Sequence, residues 1–259
     1  MIFIGRTHLL AVLAFLYLPI AVMVAMAFNA SALYTLPIEP SLHWFAVLAT
    51  NGPLLAATRN SLVIACVTSA TATGLGTLAA LALERRQFRG RSVLRILLLP
   101  PIAIPWLITG TAMLVFFFWT GIGRGIHAMI IGHVALALPY VVLIVGTGLK
   151  SLRADLEEAA MSLGSTPIHA FFAVTLPLLL PSVLAAALFA FAISLDQFVV
   201  SYFLSTPGVS TLPVEIYSSI RKGFTPEINA ISTIFLGVSM ALVLIFAQLS
   251  QLGGRVDRR

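Results

Sequence analysis

Asp155-Leu156-Glu157-Glu158-Ala159-Ala160-Met161-Ser162-Leu163-Gly164, followed nine residues later by Val174-Thr175-Leu176-Pro177, is the stretch on which the reading of this chain turns. It is short and partly charged, and it lies between two long apolar runs, about 128–149 and about 179–203. Asp155 is placed to cap a helix with Glu158 at capping-box spacing, and Glu157 and Glu158 both favour the positive helix end. Gly164 can close that helix in the left-handed conformation. Thr166 then caps a second helix with Pro167 at its first position, and Pro177 is expected to end or kink that helix before the next apolar run. A helix of about two turns is too short to be stable alone, so it needs a surface to pack on. Ala159, Ala160 and Gly164 offer little bulk and permit close docking. Spacing leaves two surfaces open, the protein's own bundle or a separate soluble partner.

The flanking composition places the hairpin at a membrane. Hydrophobic residues make up 59% of the 259 residues and charged residues 9%, against about a quarter charged in a soluble domain. Mean hydropathy is +1.04. Six runs reach the roughly 20 apolar residues that a spanning helix needs: about 9–28, 61–83, 96–118, 128–149, 179–203 and 228–250. They use up most of the chain, so residues 1–259 read as one all-α membrane domain, with a loop at 150–177 between the fourth and fifth runs. Barrel strands would alternate over about 10 residues, which these runs do not. The net charge of +6 is distributed by topology. Arg6, Arg85, Arg86, Arg89, Arg91, Arg95, Lys150, Arg153, Arg255, Arg258 and Arg259 fall on one side of the six runs, and Arg59, Arg124, Arg221 and Lys222 on the other. The first side is expected to be cytoplasmic, with both termini inside, and nucleic acid is not a partner.

Smaller features fit the same plan. The apolar run after Arg6 and His8 is longer than a signal-peptide core and reads as a retained first span. Cys66 has no partner for a disulfide. Ser41 to Phe45 can start a short interfacial helix, and Leu212 to Ile220 another, with Pro213 in its first turn and Gly223 at its end. Thr225-Pro226-Glu227 reads as the cap of the last span. Thr73-Gly74-Leu75-Gly76-Thr77 does not follow a strand, so it is no dinucleotide motif. Its small residues let another helix come close. Pro100, Pro101 and Pro105 must delay, kink or break the third run. His127 and His133 lack a further ligand at metal spacing and read as interfacial or packing residues.

With the hairpin in this setting, it resembles the EAA loop of ABC-importer permease subunits, E-A-A-x3-G-x9-I-x-L-P. The one departure is Val174 for Ile. In that family the loop forms a coupling helix on an ATPase subunit, so the resemblance assigns ATPase coupling to Glu158, Ala159, Ala160 and Gly164. Leu156–Leu163, Phe191–Ser201, Leu212–Tyr217, Pro226–Ala230 and Asn60-Ser61-Leu62 are similar to the second permease subunit of spermidine/putrescine importers. The resemblance covers nearly the whole chain. It implies a six-helix bundle of the type I (MetI-like) permease kind in the bacterial inner membrane. The partners it implies are two ATPase subunits, a homologous second permease, an extracytoplasmic solute-binding protein and membrane lipid. No cofactor follows from it.

Asp196 is the one formally charged residue well inside an apolar run. An intramembrane aspartate costs about 2.5–3.5 kcal/mol on insertion scales, so it normally faces a cavity or a partner. Ser194, Gln197 and Ser201 add polarity. Phe189 and Phe203 stand seven residues to either side, close to one face if the helix is continuous. An anion between aromatic rings suits a cationic amine, so Asp196, Phe189, Gln197 and Phe203 form the candidate substrate path. The bland alternative is an ion pair with another helix. No G-x-x-x-x-G-K-[ST] occurs, so ATP binding is left to other chains, and no H-E-x-x-H occurs. The rival functions are an importer of ferric iron, sulfate or an opine, an autonomous channel, or an intramembrane serine hydrolase. The hydrolase lacks a histidine in the same span as its candidate Ser194.

Overall fold

The computed structural model describes residues 2–32, 35–98, 100–153, 155–223 and 226–256. The described residues are helical and contain no strand. In chain order the helices are α1 (Ile2–Ala27), α2 (His43–Thr50), α3 (Gly52–Arg85), α4 (Arg91–Leu97), α5 (Pro100–Ala103), α6 (Trp106–Trp119), α7 (Ile126–Ser151), α8 (Asp155–Ser162), α9 (Pro167–Ala170), α10 (Leu176–Leu195), α11 (Val199–Leu204), α12 (Leu212–Lys222) and α13 (Glu227–Val256), with a π-helical turn at Phe171–Thr175 between α9 and α10. Among the described residues four helical stretches are long and apolar enough to cross a membrane: Arg6–Ala27, Gly52–Arg85, Ile126–Ser151 and Pro167–Leu195. A fifth is reached if Arg91–Ala103 and Trp106–Trp119 form one broken span, and Glu227–Ala241 is a shorter apolar helix. Thr225, expected as a cap, lies outside the described residues.

The chain forms two compact units. Residues 1–56 and 215–241 make up the first, and residues 57–214 and 242–259 the second. In the first, the loop after α1 is tied to buried Asn29. Its amide donates to the Thr35 carbonyl (3.1 Å) and accepts from the Glu39 N–H (3.1 Å), and its backbone carbonyl accepts from the Trp44 indole (2.7 Å). The expected short helix at Ser41–Phe45 is α2, and the Ser41 hydroxyl accepts from the His43 N–H (3.0 Å) at its entrance. Gly223 closes α12 with φ +135°, donating to the Ser219 carbonyl.

The second unit is built by helices that approach closely at small residues. Ala72, Ala80 and Leu83 of α3, Val141, Val145 and Leu149 of α7 and Leu179, Ala186 and Ala190 of α10 belong to one buried cluster. A Cβ on Gly76 would lie 2.5 Å from Val141 Cγ1, and one on Gly148 would collide with the Ser182 side chain. A second cluster joins Ile64, Phe117, Met129, Leu136, Val200 and Leu204. Here α11 is held between two glycines. A Cβ on Gly132 of α7 would meet Val200 Cγ1 at 2.9 Å, and one on Gly110 of α6 would meet the Phe203 ring at 2.9 Å.

One run breaks where its prolines require it, and two stretches differ from their expected outline. The run 96–118 is divided into α4, α5 and α6, with the last break at Ile104-Pro105, where the prolines remove donors. Pro177 does not end its helix. The ladder widens into the π turn one step earlier, with the Leu176 N–H bonded to the Phe171 carbonyl, and α10 then runs on with Pro177 in its first turn. Proline lacks the N–H that an α-register would give to the Ala173 carbonyl and would press on that carbonyl, and the wider turn removes the conflict. The run 179–203, expected as one helix, is interrupted at Asp196-Gln197-Phe198.

Filling a close approach tests this packing. Gly76→Val should destabilise the chain in detergent by about 1–3 kcal/mol, the usual cost of overpacking. Gly74→Val, where nothing lies within 4 Å, should leave the midpoint of thermal unfolding unchanged. Equal midpoints for the two variants would contradict the α3–α7 contact.

Candidate functional site

The hairpin after α7 has the local chemistry its residues call for. Gly164 adopts φ +93°. The Gly164 N–H donates to the Met161 carbonyl (3.0 Å) and the Ser165 N–H to the Ala160 carbonyl (3.1 Å), the paired bonds of a Schellman ending. The Thr166 hydroxyl accepts from the His169 N–H (3.3 Å), with Pro167 at the first helical position. Asp155 lies within the first turn of α8, one step later than its expected place as the cap, and its carboxylate takes two hydrogen bonds from Arg153. That guanidinium holds the Asp155 carboxyl below its ordinary range. Glu158, Ala159 and Gly164 are exposed and Ala160 is half-buried. The tip also presents two apolar side chains that sequence reasoning did not single out, Leu163 (91% exposed) and Ile168 (73%). Side chains of that size so fully exposed on an α-hairpin are suited to burial against another protein.

The root of the hairpin is fixed by charge. Glu157 forms an ion pair with Arg85 at the end of α3 and accepts a 2.6 Å hydrogen bond from the Thr175 hydroxyl in the π turn. Burial alone would push the Glu157 carboxyl up, but the Thr175 hydroxyl and Arg85 outweigh it and hold it below the ordinary glutamate range. One residue earlier, Glu84 faces three cations, Arg95 (2.9 Å), Lys150 (3.6 Å) and Arg91 (3.9 Å). The ends of α3 and α7, the start of α4 and the hairpin are thus gathered at one end of the second unit. Sequence reasoning assigned these cations to topology alone. Their partners lie up to 72 residues away, and no local pattern marks such pairs.

The candidate substrate residues collect around the interruption between α10 and α11. Asp196 is the last residue capped by α10, with its N–H on the Ala192 carbonyl, and its side chain is exposed. Among the described residues no ion pair involves it, so the expected alternative of a partner on another helix has no support there. A carboxylate at a helix C-terminus meets the negative end of the dipole, and a cation is the natural relief. Gln197 is 1% exposed, and among the described residues neither of its amide atoms has a hydrogen-bond partner. Phe189 is on α10, with its ring 5.3 Å from that of Tyr140. Phe203 is on α11, against Gly110 and Tyr202. The two rings therefore do not share one continuous helix face. His133, expected as a packing residue, is buried at 1% exposure, and its Nδ1 and Nε2 share hydrogen bonds with Ser194 (2.8 Å) and Ser201 (3.0 Å).

A coupling-like hairpin, an uncoordinated acid beside a helix break and close helix packing are now joined by the comparisons with known proteins. Residues 72–259 match the model of the family described as binding-protein-dependent transport system inner membrane component. The chain belongs to that family. It is 37% identical over 231 residues to the putrescine transport system permease protein PotI of Escherichia coli strain K12, covering 86% of this chain and 82% of that protein. It is 34% identical over 244 residues to the spermidine/putrescine transport system permease protein PotC of Haemophilus influenzae, covering 94% and 95%. Among solved structures, it is similar to a chain of a bacterial ABC transporter that imports the acidic polysaccharide alginate, with a TM-score of 0.73 at 16% identity over 96% of this chain and 95% of that one. It is also similar to a chain of the MetNI methionine ABC transporter, with a TM-score of 0.64 at 18% identity over 79% and 98%. The fold is that of type I ABC importer permeases.

The Glu157 clamp can be tested by itself. Its carboxyl is lowered in the folded chain, so its contribution is present above the ordinary glutamate range and is lost as the pH falls through the lowered value. Glu157→Gln should cost about 1–2 kcal/mol at neutral pH, between the values for exposed and buried ion pairs. The gap to the native chain should close in acid. A gap in thermal midpoint that persists unchanged at low pH would show that Glu157 acts by something other than its charge.

Proposed function

We propose that this chain is one of the two membrane subunits of a polyamine importer in the bacterial inner membrane. A homologous second permease, two ATPase subunits and an extracytoplasmic binding protein complete it. Residues 1–259 act as a single permease domain with both termini on the ATPase side. The observation that carries the cargo is the identity of 34–37% to putrescine and spermidine/putrescine permeases along most of both chains. The fold cannot choose the cargo by itself, since a chain of an alginate importer shares it. The choice rests with side chains, and here the exposed acid at the helix break favours a cation.

In this reading ATP binding closes the ATPase pair, and the α8 hairpin moves with it. Glu158, Ala159, Ala160 and Gly164 form the docking surface, and Leu163 and Ile168 extend it. The clamp from Glu157 to Arg85 and Thr175 passes the displacement to α3 and to the root of α10. The path then opens to the other side only if ATP binds the two states with different affinity. Asp196 and Gln197 meet the substrate's ammonium groups, with Phe189 and Phe203 along the path. Catalysis of ATP hydrolysis belongs to the ATPase chains.

Two measurements decide it. In cells dependent on this importer, Asp196→Asn should lower putrescine or spermidine uptake at least tenfold while the subunits still co-purify, and unchanged uptake would sink the polyamine path. A cysteine at Ala160 should crosslink to the ATPase subunit in native membranes, more strongly than one at Thr120. No crosslink to any ATPase would remove the coupling role.

A further inference from the structure

The interruption between α10 and α11 contains no proline and no glycine. Both classes of residue that normally break a membrane helix are missing. What the break does have is a histidine from another helix. His133 of α7 reaches it with both ring nitrogens, one sharing a hydrogen bond with Ser194, two residues before Asp196, and the other with Ser201, five residues after it. The three side chains are buried to 3% exposure or less. An imidazole with one N–H donates from one nitrogen and accepts at the other, and a serine hydroxyl takes either role, so the bridge is complete in both tautomers.

The backbone ladder is weakened at the same place. The Gln197 N–H turns to the Ser194 carbonyl at 3.4 Å, a tightened and weak last turn, while the Tyr202 N–H begins a new ladder on the Phe198 carbonyl at 2.8 Å. Close approach makes the reach of His133 possible. Gly132 beside it lets Val200 and Leu204 pack against α7. Ser194 and Ser201 are seven residues apart, so in an unbroken helix they would stand two turns apart, about 10.5 Å along the axis. One imidazole cannot hydrogen-bond to both across that distance.

We propose that His133 is the positioning residue of the substrate path, a clasp that holds the helix interrupted so that Asp196 and the unpartnered amide of Gln197 stand together at the break. The proposal rests on the polyamine reading only for the cargo; the clasp itself rests on the bridge. With the clasp gone, α10 and α11 join into one helix. Residues beyond the join then turn by about 100° for each residue of changed register, and Asp196 leaves its place at a helix end. The buried amide of Gln197 has no partner among the described residues. It is set between the two bridged serines in sequence, where the ammonium group of a bound polyamine would supply a donor to its oxygen.

The test uses the complete importer in proteoliposomes, in a Cys66→Ala background, with putrescine as the probe. His133→Leu removes both ring nitrogens, and His133→Gln keeps an acceptor and a donor. The Leu variant should assemble with the ATPase subunits and raise the KM for putrescine at least tenfold, and the Gln variant should return it to within about threefold. Single cysteines at Tyr202 (exposed) and Leu204 (buried) report the helix itself. Thiol labelling should favour position 202 with the clasp present and lose that preference in the Leu variant. A residue needed only for packing would lower the yield without changing this pattern. If the Leu variant does not accumulate, the Ser194→Ala, Ser201→Ala double variant carries the same expectation without loss of bulk. Native KM and native labelling in whichever of these variants assembles would overturn the clasp. A changed labelling pattern together with native putrescine uptake in Asp196→Asn would instead keep the clasp and remove the polyamine path.

Discussion

Inside a bilayer a backbone amide has no water to turn to, and every departure from a helical ladder has to be satisfied by protein. This constraint orders the second unit. Its apolar runs are interrupted at Ile104-Pro105, at the π turn before Pro177 and at Asp196, and each interruption is met by a specific arrangement. At Pro177 the ladder widens by one residue and continues, with the Leu176 N–H on the Phe171 carbonyl. At Asp196 the ladder thins to the 3.4 Å bond from the Gln197 N–H to the Ser194 carbonyl, and two serines and a histidine bridge the break with side-chain bonds. The first solution carries the helix through Pro177 toward the break, and the second lies at the polar residues where α10 ends.

The charged end follows from the same scarcity of water. Glu84 and Glu157 are each partly withdrawn from solvent and each answered by cations, Glu84 by three and Glu157 by Arg85. The two acids differ in what they join. Glu84 draws together α3, α4 and α7, all of which belong to the body of the unit. Glu157 alone reaches from the hairpin to α3 and, through the Thr175 hydroxyl, to the π turn. A pair of glutamates in one electrostatic cluster thus serves two purposes, one joining helices of the unit's body and the other fastening the hairpin to α3 and the π turn. Among the described residues the exposed face of the hairpin has no ion pair beyond Arg153 and Asp155, so Glu158, Leu163 and Ile168 stay exposed.

Much of the helical layout was legible because hydropathy and the turn residues act locally. Gly164, Thr166, Pro167, Pro213 and Gly223 each do in the structure what their chemistry requires, and the EAA spacing located the hairpin. The Gly76 contact followed from small residues alone, although Gly74, in the same motif, meets nothing. The misread places have two causes, one local and one long-range. Pro177 looked like a terminator because a sequence scan does not weigh a π turn one residue upstream. The run 179–203 looked continuous because its interruption is imposed by His133, which is more than 60 residues earlier and carries no spacing signal. Arg85 and Glu157 were read separately, one as topology and one as helix-dipole chemistry, because only the folded chain brings them together.

The clasp also bears on how a shared fold changes its cargo. A chain of an alginate importer has this fold at 16% identity, so the fold by itself does not fix the cargo. In the proposed polyamine reading, selectivity sits in the few side chains presented at the interruption. A carboxylate at the end of α10 is disfavoured by the helix dipole and has no ion pair among the described residues, which makes it an expensive residue to retain for structure alone. The cost is lowered whenever a cation is present and raised whenever an anion is. An acid placed at a helix end therefore does two things in one step: it attracts an amine and excludes a polyanion. That double action depends on the helix ending at Asp196. In a continuous helix the same aspartate would lose both its dipole setting and its position, so under the proposed clasp the histidine on α7 and the acid on α10 act as one device, split between two helices.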